Sequence, residues 1–354
     1  MISEEIRSRI AAAAVHSTGT GIPWQAMLQK KELKLGFIGG SVTRGYANGA
    51  VFEKPYPALL CDTLRARGMN VSETVCAAPG MNCMIGNLLT DRFVLSQQPD
   101  LVVVEFAINE TTLPPSIHAF ESLLRKLLTA PQPPVVCILV LRNASGYSCE
   151  PYMVPIAEHY GLPCVVLREG LNPELEQGTL QWAEYADEES HPNPDGHRLI
   201  ADCLLQLLDR AKDAPPTEPV PLPEPWLGAP FTALRFLTPD QLTDVKTDCP
   251  TVPKDNWAFP TAFRISPEHG AWSLTVTGTA LVLYYEVNCL PEYGDCRVLL
   301  DGKPMPQPVL HGNSIYGWGN ILHFTVFRSE QPQTHTVTLE PIDGDFYLAA
   351  AGIC

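Results

Sequence analysis

The chain has 354 residues, 45% of them hydrophobic and 18% charged, with a formal net charge of −15. This is the composition of an ordinary globular core, and a prior of about 150 residues per domain points to two domains. The acidic balance excludes nucleic acid and anionic membrane surfaces as partners, since both need basic patches.

The first ten residues mix acids with apolar side chains, and Ala11–Val15 is too short for the apolar region of a secretory leader. No run approaches the roughly 18 apolar residues of a membrane span, so a cytoplasmic protein is expected. The 11 cysteines are scattered and odd in number. Many of them, such as Cys76, Cys137, Cys164 and Cys203, lie in apolar runs and read as reduced, buried thiols. No CxxC pair or HExxH occurs, so neither a structural nor a catalytic zinc site is expected.

Short apolar runs then alternate with helical patterns. Strands are predicted at Lys34–Ile38, Val71–Ala77, Leu101–Ala107, Val135–Leu141 and Pro163–Leu167. Each is apolar on both faces, as a sheet covered by helices on both sides requires. Helices are predicted at Tyr56–Arg67, Met84–Ser96, Ile117–Ala130, Tyr152–Tyr160 and Pro194–Lys212, the last capped by Asn193 with Pro194 at the first helical position. The alternation predicts an α/β domain over residues 1–213 with a doubly wound, parallel, five-stranded sheet. Residues 214–225 contain six prolines and read as an extended linker. From 226 to 354 the helical period disappears. Short strands at regular spacing, with Asp301-Gly302 as a hairpin turn, predict a β-sandwich of the jelly-roll, carbohydrate-binding-module-like kind.

The chemistry concentrates at strand ends. Leu35–Ile38 stops at Gly39-Gly40, and Ser41 follows at once. Glycines permit a tight turn there, and ligands of open α/β sheets sit at the carboxyl ends of strands. Ser41 is therefore a candidate nucleophile; a helix N-cap is its other reading. Pro79-Gly80-Met81-Asn82 follows the second strand, Asn109 follows the third, and Asp187-Glu188-Glu189-Ser190-His191 precedes the last helix. His197 lies inside that helix and reads as packing or capping. Taken in order, Ser41, Gly80, Asn109 and His191 resemble the four marker blocks of the SGNH, or GDSL-like, hydrolases over roughly residues 33–210.

That resemblance implies a flavodoxin-like fold and a serine esterase needing no cofactor. Ser41 would be the nucleophile and His191 the base. The backbone N–H groups of Ser41 and Gly80 and the Asn109 amide would form the oxyanion hole. The family pattern Asp-x-x-His is broken here, because Glu188 has the spacing and Asp187 the residue type; Glu188 is read as the triad acid and Asp187 as its alternative. The G-x-S-x-G elbow, the G-x-G-x-x-G fingerprint and the P-loop are all absent around Ser41.

A β-sandwich after such a domain resembles cytoplasmic carbohydrate acetylesterases acting on manno-oligosaccharides. The implied substrate is an acetylated oligosaccharide. Trp318, flanked by Gly317 and Gly319, is a candidate sugar-stacking residue, and its alternative is a place in the sandwich core. A thioesterase or lysophospholipase, and a carbohydrate-binding protein with an inactive hydrolase domain, are the competing readings. A homo-oligomer is left open.

Overall fold

The computed structural model describes residues 1–47, 49–214, 218 and 220–354. They form two compact units, Met1–Ala229 and Pro230–Cys354.

The first unit is built on six strands: β1 (Val15–Thr18), β2 (Leu33–Gly39), β3 (Val71–Ala77), β4 (Leu101–Glu105), β5 (Val135–Val140) and β6 (Pro163–Val166). Their spatial order is β1-β6-β5-β4-β2-β3. The last five are parallel and stand where the sequence predicts them. The expected five-stranded sheet gains a sixth strand, because β1 adds antiparallel to β6 with Val15 opposite Val165. The short β-branched stretch covers an edge that would otherwise expose unpaired backbone groups. The parallel strands follow the doubly wound order of flavodoxin-like folds, so the crevice lies between β2 and β4.

All five residues of β4 are buried. That strand stops at Glu105, two residues short of the expected Ala107, because a turn begins there, with the Asn109 N–H donating to Phe106 O at 2.9 Å. Helices Glu4–Ala14, Tyr56–Ala66, Leu167–Glu176 and Pro194–Lys212 pack together on one side of the sheet. Helices Cys83–Phe93, Pro114–Leu128 and Glu150–His159 pack together on the other. Helix Pro194–Lys212 starts where expected: Asn193 Oδ1 accepts from the Gly196 N–H at 3.0 Å, and Pro194 needs no partner for its nitrogen. Its buried face carries Leu199, Ile200, Cys203, Leu204, Leu207 and Leu208. Full burial of each leucine or isoleucine side chain is worth roughly 1.5–3 kcal/mol of transfer free energy.

Of the proline-rich stretch 214–225, Pro215, Pro216, Thr217 and Pro219 lie outside the described residues. The rest belongs to the first unit. Arg125 donates to Pro223 O at 2.7 Å, and the Leu227 N–H donates to Glu121 Oε2 at 2.8 Å. Trp226 stacks on His159 at 5.8 Å between ring centroids.

The second unit is an antiparallel assembly of nine strands organised by one long pair, Trp272–Asn288 against Trp318–Pro341. Leu322–Phe327 and Thr334–Leu339, which the sequence reads as two short strands, lie within a single 24-residue strand. A register shift between Gly278 and Ala280 divides the pair. Before it, Trp272, Leu274 and Val276 point to the core; after it, Leu281, Leu283, Tyr285 and Val287 do. The irregularity flips the inward parity, so both halves of the pair feed one core. Strand Asp295–Leu300 pairs with one half and Phe346–Ile353 with the other, giving the two layers of a sandwich. The predicted turn is present, with Asp301 at φ 50° and Gly302 at φ 75°, the left-handed pair that a tight hairpin needs. None of the 11 cysteines is in a disulfide, and nine of them are buried.

Candidate active site

The parallel sheet brings three loop starts level. Gly39 stands opposite Ala77 on one side and Glu105 on the other, so β2, β3 and β4 end in one row. Ser41 is two residues beyond that row, Gly80 three and Asn109 four. The carboxyl edge of the sheet thus gathers three of the four blocks.

Both glycines before Ser41 are fixed by close approach. A Cβ on Gly39 would meet Thr43 Oγ1 at 2.1 Å and Glu105 O at 2.7 Å. A Cβ on Gly40 would meet the Asn109 side chain at 2.5–2.7 Å. Gly40 is the N-cap of a one-turn helix, Ser41–Arg44, which Gly45 ends in the left-handed region at φ 78°. Ser41 is therefore its first helical residue rather than its cap, and its side chain is left for other work.

His191 comes from a loop held on several sides. Ala186 bridges to Pro192, and the Asn193 N–H donates to Tyr185 O at 3.0 Å. The Trp182 indole donates to Glu188 O at 3.0 Å, and the Ala144 N–H donates to Glu189 O at 2.8 Å. This framing brings His191 Nε2 to 2.8 Å from Ser41 Oγ. On its far side, Nδ1 lies 3.0 Å from Glu188 Oε1. The carboxylate sits off the N–H direction, so the contact is an ion-pair approach rather than an aligned hydrogen bond. Asp187 turns elsewhere and accepts from Asn193 Nδ2 at 3.4 Å. Tyr46 meets the His191 ring edge-to-face at 6.1 Å.

Gly80 has φ 73° in the turn Ala78–Met81, a conformation that costs a side-chain-bearing residue energy. Asn82 then caps helix Cys83–Phe93 by accepting from the Ile85 N–H at 3.1 Å. Asn109 lies against Gly40, its Oδ1 buried without a hydrogen-bond donor among the described residues.

Residues 37–199 match the family model described as GDSL-like lipase/acylhydrolase. Over this stretch the first unit is similar to the GDSL-like acylhydrolases. No curated protein matches the chain. Among solved structures, one of a two-domain esterase active on acetylated mannans is similar at 21% identity and a TM-score of 0.82, covering 95% of this chain and 97% of that one. A second, co-crystallised with mannopentaose, is similar at 20% identity and a TM-score of 0.84, with 97% of each chain covered. At these identities the likeness is one of fold: a GDSL-like α/β domain followed by an antiparallel β-rich domain.

Within the GDSL-like domain, His197 is fully buried and does not reach Ser41. Its Nδ1 accepts the Tyr56 N–H at 3.3 Å, at the start of helix Tyr56–Ala66, and burial pulls its pKa down to about 4. Capping and packing are both its work. Sequence reasoning missed Glu105, which looks like one more strand residue. Its Oε2 accepts the Thr43 hydroxyl at 2.9 Å, directly beneath the Ser41 turn, and the same hydroxyl meets Tyr56 OH at 2.9 Å. Burial pushes the Glu105 carboxyl up to about 7, against the pull of the Thr43 hydrogen bonds. An acid inside an otherwise apolar run was the available signal.

In the second unit, Trp318 is 57% exposed and does not enter the core. Its neighbours Ile315 and Tyr316 are also exposed. A Cβ on Gly317 would strike the Asn288 backbone at 2.6–2.8 Å, and Gly319 has φ 90°, so the flanking glycines set the loop that presents the ring.

Proposed function

We propose that this GDSL-like hydrolase is a serine esterase that removes O-acetyl groups from oligosaccharides, with manno-oligosaccharides as the preferred class. The observation that carries the reading is the Ser41 Oγ to His191 Nε2 distance of 2.8 Å, with Glu188 3.0 Å behind the same imidazole.

In this mechanism Ser41 Oγ attacks the acetyl carbonyl carbon as its proton passes to His191 Nε2. The carbonyl π pair moves onto oxygen, where the N–H groups of Ser41 and Gly80 and the Asn109 amide receive it. The intermediate collapses, the sugar oxygen leaves with the proton from His191, and an acetyl ester remains on Ser41. Water then gives a proton to His191, attacks the acetyl group and releases acetate. Glu188 stabilises the imidazolium from the Nδ1 side.

Support for the sugar class comes from the two-domain fold shared with the acetylmannan esterase and from the exposed Trp318 ring. A reducing cytoplasm suits 11 cysteines of which none is in a disulfide, and is the proposed location. The test is acetate release from acetylated manno- and xylo-oligosaccharides beside p-nitrophenyl esters from acetyl to octanoyl. Fastest turnover on the octanoyl ester would favour a thioesterase or lysophospholipase. Sugar binding without any hydrolysis would favour an inactive hydrolase domain.

Two variants refine the reading. Glu188→Gln should lower kcat more than Asp187→Asn, because a neutral amide cannot stabilise the imidazolium and Asp187 faces Asn193 instead. Matched kinetics showing the reverse order would transfer the role to Asp187. Trp318→Ala should slow hydrolysis of acetylated manno-oligosaccharide at least about tenfold, the loss of one good stacking contact. It should leave p-nitrophenyl acetate untouched, since that substrate has no sugar to stack. Equal losses on both substrates would make Trp318 structural.

A further inference from the structure

Glu110 follows Asn109 and has no part in the mechanism above. It is 5% exposed, in a sheet-edge region where a buried carboxylate needs compensation. Its carboxylate accepts the backbone N–H of Cys83, the first residue of helix Cys83–Phe93 and only three residues beyond Gly80. Just beyond Glu110, the Thr111 N–H donates to Ser116 Oγ at 3.3 Å, which holds the same turn from its other end. The Glu110 carbonyl accepts from Tyr147 OH. Asn82 serves the Ile85 N–H of the same helix, so Asn82 and Glu110 divide that helix's unpaired donors between them.

The two turns that carry Gly80 and Asn109 are thereby tied by one side chain. A charged acceptor makes shorter and stronger bonds than a neutral one, and a helix N-terminus favours negative charge. We propose that Glu110 is a positioning residue that locks the Gly80 turn and the Asn109 turn into one frame, and so sets the oxyanion donors at the spacing the transition state requires. The proposal rests on the oxyanion reading of Gly80 and Asn109. It adds a residue that touches no substrate and acts on both donors together.

The test uses the full chain with p-nitrophenyl acetate. Glu110→Gln replaces one acceptor oxygen with an amide N–H₂ that faces the helix donors. It should lower kcat about ten- to a hundredfold with KM within about twofold, since the oxyanion donors act in the transition state. Glu110→Asp keeps the charge and should recover most of the rate. Residues acting as a unit are non-additive, so Glu110→Gln combined with Asn109→Ala should be no more than about threefold slower than the slower single variant. If Glu110→Gln fails to fold, Tyr147→Phe decides, because it removes the hydroxyl that donates to the Glu110 carbonyl and keeps the carboxylate. It should lower kcat about two- to fivefold at unchanged KM, a partial loss of the same kind.

Wild-type kcat in Glu110→Gln or Tyr147→Phe, a defect in KM alone, or losses that multiply in the double variant would overturn the proposal while leaving the oxyanion reading intact. An Asn109→Ala enzyme with undiminished kcat would overturn the oxyanion reading itself, and this inference with it.

Discussion

Ser41→Ala is expected to abolish ester hydrolysis, with kcat falling by about 10⁴-fold or more, since a triad without its nucleophile keeps only residual catalysis. The change deletes one oxygen from a side chain that is 6% exposed and leaves the short helix Ser41–Arg44 its backbone. Melting temperature should therefore hold within a few degrees. A serine that merely capped a helix would behave in the opposite way, costing about 1 kcal/mol of stability and sparing turnover. The geometry already separates the two, because Gly40 occupies the cap position and Ser41 Oγ meets His191. Wild-type protein mixed with p-nitrophenyl acetate should also show a covalent acetyl group on Ser41 by mass spectrometry, which the alanine variant cannot form. More than about a tenth of wild-type kcat in the purified variant would remove Ser41 from the mechanism.

The catalytic half of the chain is legible because its strands are buried on both faces and therefore apolar throughout. The five parallel strands and the Asn193 cap could be read from such runs and from Pro194. Strand β1 could not, because four residues at a sheet edge carry no alternation to detect. Helix Leu167–Glu176 was hidden for another reason: it begins at the residue after β6, with no loop to mark the change. In the sandwich, the polar stretch between Leu322–Phe327 and Thr334–Leu339 reads as a turn between two strands, but the backbone continues through it as one. At the site, Ser41 and His191 stand out from their local context. The choice between Glu188 and Asp187 does not, since it depends on how Trp182, Asn193 and Ala144 hold the loop. Glu105 and Glu110 were passed over because their partners are far apart in sequence. Thr43 lies 62 positions from Glu105, and Cys83 lies 27 from Glu110.

Asn109→Ala should lower kcat by about 10²–10³-fold, the usual cost of one lost oxyanion donor, with a smaller effect on KM. A variant whose only defect was a raised KM would make Asn109 a substrate-positioning residue instead. The contact with Gly40 adds a sharper arm. Gly40 has φ −90° and ψ −148°, so its requirement for glycine is steric rather than conformational. A Cβ there would stand 2.5 Å from Asn109 Oδ1 and 2.6 Å from Nδ2, distances no packed structure tolerates. Gly40→Ala must therefore displace the amide, and it should lose kcat to about the same extent as Asn109→Ala. Combining the two removes the clash together with the side chain that suffers it. The double variant should then be no slower than Asn109→Ala alone, because the truncated side chain has no amide left to collide with the new methyl. If the losses multiplied instead, the added methyl would be acting on the Ser41 turn directly, and the close packing of Gly40 would serve the nucleophile rather than the oxyanion hole.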